Sequence, residues 1–111
     1  MSSIEVFDTV KISVVIPTRN PDPASLERVV EALAGQALPP PQWEVVLVDN
    51  GSAPPVSVDS LRRIPASVRR VEEPQPGLSQ ARRTGVAASR GRLLVFVDDD
   101  VLLGADSLET A

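Results

Sequence analysis

Three consecutive aspartates follow an apolar stretch near the end of the chain. Asp98, Asp99 and Asp100 come directly after Leu93-Leu94-Val95-Phe96-Val97. Side chains alternate along extended backbone, so we expect Asp98 and Asp100 to point the same way and Asp99 the opposite way. Two carboxylates at the edge of an apolar core repel each other, and a hard divalent cation relieves that repulsion. The triplet therefore predicts a cation site with Asp98 and Asp100 as ligands.

The composition limits which metal ion the chain can bind and which residue types can act in catalysis. The chain has no His and no Cys, which excludes thiolate zinc sites, a Cys nucleophile and a His general base. Oxygen ligands alone favour Mg²⁺ or Mn²⁺ over zinc. The other interpretation is that the acidic run is a solvated end of a strand, and only its position in the fold can decide between the two.

Composition also bears on partners and location. The net charge of −4 and the 3% aromatic content argue against nucleic-acid binding. No apolar run approaches the roughly 20 residues that span a bilayer, and the first residues lack the basic and apolar regions of a secretory signal. We expect a cytoplasmic protein, at most peripheral to the membrane.

The elements that must position the aspartates follow from hydrophobic periodicity. Strands are predicted at 12–16, 44–49, 68–72 and 92–98. Helices are predicted from the Asp22-Pro23 cap through Ala37, with Gly35 near the end and prolines 39–41 as the stop, and over 77–90. We expect the loop between the second and third strands to contain at most one short helix, around 60–63. This order predicts an α/β fold, Rossmann-like, with an open parallel sheet and helices on both faces. Residues 1–10 form a leader or edge segment, and the chain ends at the start of another helix, so we expect a truncated domain.

Distinctive polar residues cluster at one rim of this predicted sheet. Ligands of such sheets bind beyond the carboxyl ends of the strands, where this chain has residues 17–20 (PTRN), 49–52 (DNGS) and 98–100 (DDD). The opposite rim carries no comparable group. Asp49 alone is ambiguous, because Asp-Asn-Gly-Ser is also good turn chemistry. On the second long helix, Leu78, Ala81, Gly85 and Ala88 share a face that suits close packing on the sheet.

Four segments resemble, in order and spacing, the signature blocks of family 2 glycosyltransferases. They are residues 14–20 (VVIPTRN), 46–52 (VLVDNGS), 77–82 (GLSQAR) and 96–100 (FVDDD), and the resemblance covers residues 12 to 103. It implies a GT-A fold whose nucleotide-sugar-binding half occupies residues 11–111. It also implies a UDP- or dTDP-type sugar donor, a Mn²⁺ or Mg²⁺ ion and an inverting transfer.

The same resemblance implies roles for individual residues. Pro17 and Thr18 would line the nucleoside pocket, and Asp49 would accept a hydrogen bond from the base edge. Arg82 would face the base or the diphosphate, although a surface arginine covering the sheet is the alternative. Asp98 would face the ribose or a metal-bound water.

Four further residues bear on the implied site. Asp100 would be the direct metal ligand that bridges to the diphosphate, and Asp99 is the lesser candidate of the triplet. Arg19 would either order the first loop or approach the diphosphate. Arg83 stands where the family often has Asn, which leaves its role open.

No residue of the chain is assigned as the catalytic base, which the resemblance places beyond Ala111. We therefore expect nucleotide and metal binding with little or no transfer by these residues alone. A non-catalytic nucleotide-binding module of the same fold and a nucleotidyltransferase are the alternatives. A dinucleotide-binding domain is disfavoured, because Pro17 to Asn20 replace its Gly-x-Gly-x-x-Gly turn. Homo-oligomers and a membrane-associated acceptor remain open.

Overall fold

The computed structural model describes residues 10–99, which form one four-stranded sheet with a helix on each face. Asp100, the predicted final helix and all but the last residue of the predicted leader segment lie outside the described residues. In chain order the elements are β1 (Ile12–Thr18), α1 (Pro23–Ala34), a 3₁₀ turn (Pro40–Gln42), β2 (Trp43–Asp49), a second 3₁₀ turn (Val58–Leu61), β3 (Ser67–Glu72), α2 (Leu78–Ala88) and β4 (Leu93–Phe96). No helix among residues 10–99 combines the length and apolarity needed to cross a membrane.

All three strand pairings are parallel, in the order β3-β2-β1-β4. The predicted open parallel α/β sheet is therefore confirmed. β4 is shorter than predicted, because it ends at Phe96 rather than at Asp98. It is also an edge of the described sheet, which leaves Leu93 and Phe96 each 43% exposed.

The two central strands form the core, since every residue of β1 and β2 is buried. α1 covers one face. Its start is set by Asp22, whose side chain accepts a hydrogen bond from the Ser25 backbone N–H at 3.0 Å, followed by Pro23 at the first helical position. The helix buries Leu26, Val29, Val30 and Leu33 against residues such as Val14, Ile16, Val45 and Leu47.

α2 covers the opposite face and packs unusually close to the sheet. Ala81 and Gly85 are its buried residues, as the small-residue face predicted. A Cβ at Gly85 would lie 2.3 Å from Cγ1 of Val15 and 3.2 Å from Cγ2 of Val48. The prediction was wrong for Leu78, which is 50% exposed because it is the first residue of α2 and lies out at the carboxyl rim.

The amino-terminal rim of the sheet is not bland, contrary to expectation. Glu44 is 2% exposed and accepts hydrogen bonds from Ser13 Oγ at 2.6 Å, Arg90 N at 2.7 Å and Arg69 Nη2 at 3.1 Å. Burial raises the pKa of Glu44, but these donors outweigh burial and lower it overall. Local sequence pattern could not indicate this network, because only the register of the strands pairs Ser13 with Glu44.

Gly85→Ala tests the close approach of α2 to the sheet. We expect the free energy of unfolding to fall by about 1–3 kcal/mol, because the new methyl group overpacks a site already filled by Val15. Urea denaturation followed by circular dichroism measures it. Gly35→Ala is the matched control, since its Cβ would meet nothing closer than 3.7 Å. Equal stability of the two variants would contradict the packing argument.

Candidate functional site

The carboxyl ends of three strands lie side by side. Strand register aligns Thr18 at the end of β1 with Asp49 at the end of β2, and Asp49 with Glu72 at the end of β3. The loops that follow these strands therefore start at one rim, as the sequence predicted. Because the neighbouring strands are fully buried, small changes of register would cost core packing, and the rim is held at fixed spacing.

Asn50 connects the loops of this rim. Its backbone N–H donates to Thr18 O at 2.8 Å, and its side-chain Nδ2 donates to Glu73 O at 2.8 Å and Gln75 O at 2.7 Å. Its Oδ1 accepts from Gly77 N at 3.0 Å, where a φ of 124° favours glycine. Sequence reasoning read Asn50 only as a turn residue. The missed signal was its amide, which can both donate and accept across several loops.

Asp49 is held by three residues, Ser52, Val56 and Arg70, and Ser52 donates through both its backbone N–H and its side chain. Its Oδ1 accepts from Ser52 N at 2.9 Å, while its Oδ2 accepts from Val56 N at 2.9 Å and from Arg70 Nη2 at 3.0 Å. Burial raises the pKa of this carboxyl, but the hydrogen bonds from Ser52, Val56 and Arg70 prevail and lower it to about 2. Asp49 is therefore ionised at neutral pH and acts only as an acceptor. The turn role considered for Asp49 is thus observed.

Asp49 also contributes to a pocket of about 350 Å³ between the ends of β2 and β3. This pocket, here called the β2–β3 pocket, is lined by Asp49, Gly51, Ser52, Pro55, Arg70, Glu72, Glu73 and Pro74. Carboxylates outnumber cations in it, and its one arginine is already paired with both Asp49 and Glu72. Such a lining suits a neutral group that donates hydrogen bonds better than a phosphate.

A second pocket of about 250 Å³ lies across Asn50, beside the amino end of α2. This β1–α2 pocket is lined by Pro17, Thr18, Arg19, Asn50, Gly77, Leu78, Ala81 and Asp99. The Thr18 hydroxyl donates to Asp99 Oδ2 at 2.6 Å across 81 positions of sequence. Four of the predicted substrate-binding residues, Pro17, Thr18, Arg19 and Asp99, are therefore brought together.

The acidic triplet follows β4 rather than extending it. Val97 still donates its N–H to Val15 O at 3.0 Å, but Asp99 lies in a turn, so simple alternation of side chains does not apply. Asp99, expected to oppose its neighbours, contacts Thr18, while Asp98 is exposed. Among residues 10–99 no three acidic side chains converge as metal ligands. Because Asp100 lies outside that range, the metal site with Asp98 and Asp100 stays a prediction.

Arg82 lies on the exposed side of α2. Its guanidinium stands 5.6 Å from the centroid of the Phe96 ring, at a distance typical of a cation–π contact. In this position it covers the edge of the sheet, and its contact with a nucleotide stays a prediction. A larger cavity of about 550 Å³, beside the start of α1, contains none of the predicted site residues.

The stability that Asp49 contributes should depend on pH. Its folded pKa of about 2 lies below the roughly 3.9 of an unfolded Asp, so the contribution is complete above pH 5 and is lost as pH falls toward 2. We expect Asp49→Asn to lower the free energy of unfolding by about 2 kcal/mol at pH 7, with a gap to wild type that narrows on acidification. Urea titrations between pH 7 and pH 2.5 measure it.

Asp59→Asn is the control for that titration, because Asp59 pairs with Arg62 at the surface with its side chain 78% exposed. Its effect should be small at every pH. An Asp49→Asn gap that stays constant from pH 7 to pH 2.5 would contradict the assignment of a lowered pKa.

Known glycosyltransferases resemble this chain in sequence and in fold. Glycosyltransferase AglE from Haloferax volcanii is 31% identical over 98 residues, which cover 80% of this chain and 30% of AglE. The structure of S. aureus TarS 1-349 in complex with UDP-GlcNAc superposes with a TM-score of 0.73 and 25% identity, covering 91% of this chain and 30% of TarS 1-349.

Mannosyltransferase PcManGT from Pyrobaculum calidifontis, in complex with GDP-Man and Mn²⁺, has a TM-score of 0.70 and 26% identity, over 83% of this chain and 28% of that one. The chain spans less than a third of each of these three proteins. A family model described as glycosyl transferase family 2 matches residues 13–111. The chain therefore belongs to glycosyl transferase family 2, and its sheet has the architecture of GT-A glycosyltransferases.

Proposed function

We propose that the protein containing this chain transfers a sugar from a nucleoside-diphosphate sugar to an acceptor, and that residues 10–99 build much of the donor site. The observation that carries the proposal is the Thr18–Asp99 hydrogen bond of 2.6 Å. It joins two signature blocks that are 81 residues apart, at the same rim as Asp49. UDP-GlcNAc in TarS 1-349 and GDP-Man in PcManGT support a donor of this class.

The charges of the two pockets suggest how a donor is divided between them. The β2–β3 pocket, rich in carboxylates, would take the base and repel phosphate. The β1–α2 pocket carries Arg19 and lies at the amino end of α2, where the helix dipole favours anions. The diphosphate would therefore lie on that side, with Thr18 and Pro17 between it and the nucleoside.

The residues of the triplet fit a hard divalent cation by their chemistry, because they offer only carboxylate oxygens. Mg²⁺ and Mn²⁺ sites commonly use one or two carboxylates and complete their shell with water and substrate phosphates. Asp98 and Asp100 would hold the ion, and the Mn²⁺ bound in PcManGT supports this choice. When bound, such an ion neutralises the negative charge that grows on the departing diphosphate. Asp99, anchored by Thr18, would keep the start of the triplet at the rim.

An inverting transfer also needs a base that deprotonates the acceptor hydroxyl. The two buried carboxylates described here are unsuited to that task. Asp49 has a pKa of about 2, and Glu44 is buried at the opposite rim with its pKa lowered. We therefore exclude both acids as the base and propose that this chain binds the donor, while the base lies elsewhere in a longer protein such as AglE, of which the chain spans 30%. The isolated 111-residue chain should bind nucleotide and transfer little or no sugar.

Calorimetry with UDP tests the donor site directly. We expect the chain to bind UDP more tightly with Mn²⁺ than without it, and Asp100→Ala to weaken the metal-dependent binding by roughly tenfold or more, because a ligand of the ion is lost. GDP is titrated in parallel, since PcManGT binds a GDP-sugar.

Asp59→Ala is the matched control, because it removes an exposed carboxylate far from the triplet in sequence. It should bind the nucleotide like the wild type. Binding of NAD in place of either nucleoside diphosphate, or nucleotide binding that ignores Mn²⁺, would count against the proposal. Robust sugar transfer by the isolated chain would refute the assignment of the base to another part of a longer protein.

A further inference from the structure

Asn50 lies where the two pockets of the rim meet. It is 7% exposed and lines the β1–α2 pocket, while its neighbours Asp49 and Gly51 line the β2–β3 pocket. Its backbone N–H donates to Thr18 O at the end of β1, and its side chain bonds to the loop of residues 73–77. This loop, here called the β3–α2 loop, connects the end of β3 with the start of α2. Asn50 therefore joins the two walls of the β1–α2 pocket.

We propose that Asn50 is a positioning residue for the phosphates of the donor: it holds the β3–α2 loop so that the start of α2 stays beside the end of β1. This inference rests on the proposed function, which places the diphosphate in the β1–α2 pocket between those two elements. Asn50 itself is assigned no contact with the donor.

The β3–α2 loop engages the whole side-chain amide of Asn50. The two hydrogens of Nδ2 are donated to Glu73 O at 2.8 Å and to Gln75 O at 2.7 Å. On the other side, Oδ1 accepts from Gly77 N at 3.0 Å. A reversed amide would place its oxygen against both carbonyl groups, so these partners fix its orientation. Because both hydrogens of Nδ2 are used within the protein, Asn50 acts on a phosphate through the loop.

Gly77 transmits the position of the loop to α2. It directly precedes Leu78, the first residue of the helix, and its carbonyl accepts from Ala81 N at 3.1 Å in the first turn. No side chain caps this end of α2, and the φ of 124° at Gly77 favours glycine. The hydrogen bond from Gly77 N to Asn50 Oδ1 thus ties the start of the helix to the sheet. Since Gly77, Leu78 and Ala81 all line the β1–α2 pocket, a shift of the loop would move that wall.

The two ends of the β3–α2 loop have different anchors. At the β3 end, the Glu73 N–H donates to Asp49 O at 3.0 Å, and the Glu73 carboxylate accepts from Thr84 Oγ1. Neither of these contacts uses the Asn50 side chain, whereas Gly77 N depends on it. Loss of that side chain should therefore release mainly the end of the loop at α2. The β2–β3 pocket, which Glu73 borders, should change less.

The opposite wall of the β1–α2 pocket has its own support. Thr18 O accepts from the backbone N–H of residue 50 at 2.8 Å, a bond that any residue except proline can make, and the Thr18 hydroxyl donates to Asp99 Oδ2. Arg19 on this wall supplies a cation for phosphate oxygens. A change of the Asn50 side chain thus alters the spacing of the walls. A diphosphate that contacts both walls is sensitive to this spacing, because hydrogen bonds weaken steeply when they are misaligned.

The test measures the Kd of UDP and of uridine by NMR titration of the 111-residue chain in the presence of Mg²⁺. Uridine lacks the phosphates, so the ratio of the two Kd values isolates their contribution. Asn50→Ala should weaken UDP binding about tenfold and uridine binding by no more than about twofold. Gly77→Ala should act in the same direction, because its Cβ meets nothing within 4 Å but strains the φ of 124°.

Two further variants separate positioning from stability. The double variant Asn50→Ala/Gly77→Ala should lose little more UDP affinity than the weaker-binding single variant, because both changes act through one loop and their effects do not add. Arg69→Gln removes a partner of Glu44, 3.1 Å away at the opposite rim. It should lower stability and leave the ratio of UDP to uridine binding unchanged.

Equal weakening of UDP and uridine in Asn50→Ala, or UDP binding that matches the wild type, overturns the role of Asn50. Should Asn50→Ala not fold, Asn50→Ser and Gly77→Ala decide by the same ratio. A wild type that prefers GDP is measured with GDP and guanosine in the same way. A wild type that binds neither nucleoside diphosphate overturns the proposed function itself.

Discussion

The parallel pairing of β1 with β2 is the constraint on which the rest of the structure depends. Both strands are buried at every residue, so their register is fixed by packing on two faces at once. That register aligns Thr18 with Asp49 at one end and Ser13 with Glu44 at the other. Polar groups distant in sequence therefore meet at both rims. The packing of the core between the rims holds these groups at fixed spacing.

A buried carboxylate at each rim would destabilise the fold, and hydrogen bonds donated to each carboxylate offset that cost. Asp49 and Glu44 are each 2% exposed, and an unpaired charge so buried would be strongly destabilising. Asp49 receives two backbone N–H groups, Glu44 receives one together with the Ser13 hydroxyl, and each also receives one arginine from β3. The acids consequently stay ionised, and removal of a single partner should cost more than the ion pair itself contributes. The short edge strand β3 is thus essential to both rims.

Much of the fold could be read from the sequence, because strands that are apolar on both faces have few alternatives. The order of strands and helices along the chain, the Asp22 cap and the close contact at Gly85 all follow from local pattern. The network around Glu44 could not be read, since Ser13, Glu44 and Arg69 meet only through register. The candidate site divides in the same way. Its rim was predictable from strand ends, whereas the contact of Asp99 with Thr18 depends on where β4 ends, a boundary that periodicity places poorly.

The hydrogen bonds of Asp49 suit it to a structural or binding role rather than to proton transfer. A carboxyl whose pKa is about 2 has little affinity for a proton at neutral pH. Its pKa could rise to the value that a general base requires only if the hydrogen-bond donors around it were lost. The same donors make it a dependable acceptor of fixed direction. In the proposed donor site such a carboxylate would serve binding and would leave proton transfer to a group in a less constrained environment. We therefore expect the group that takes the acceptor proton to be a residue other than Asp49.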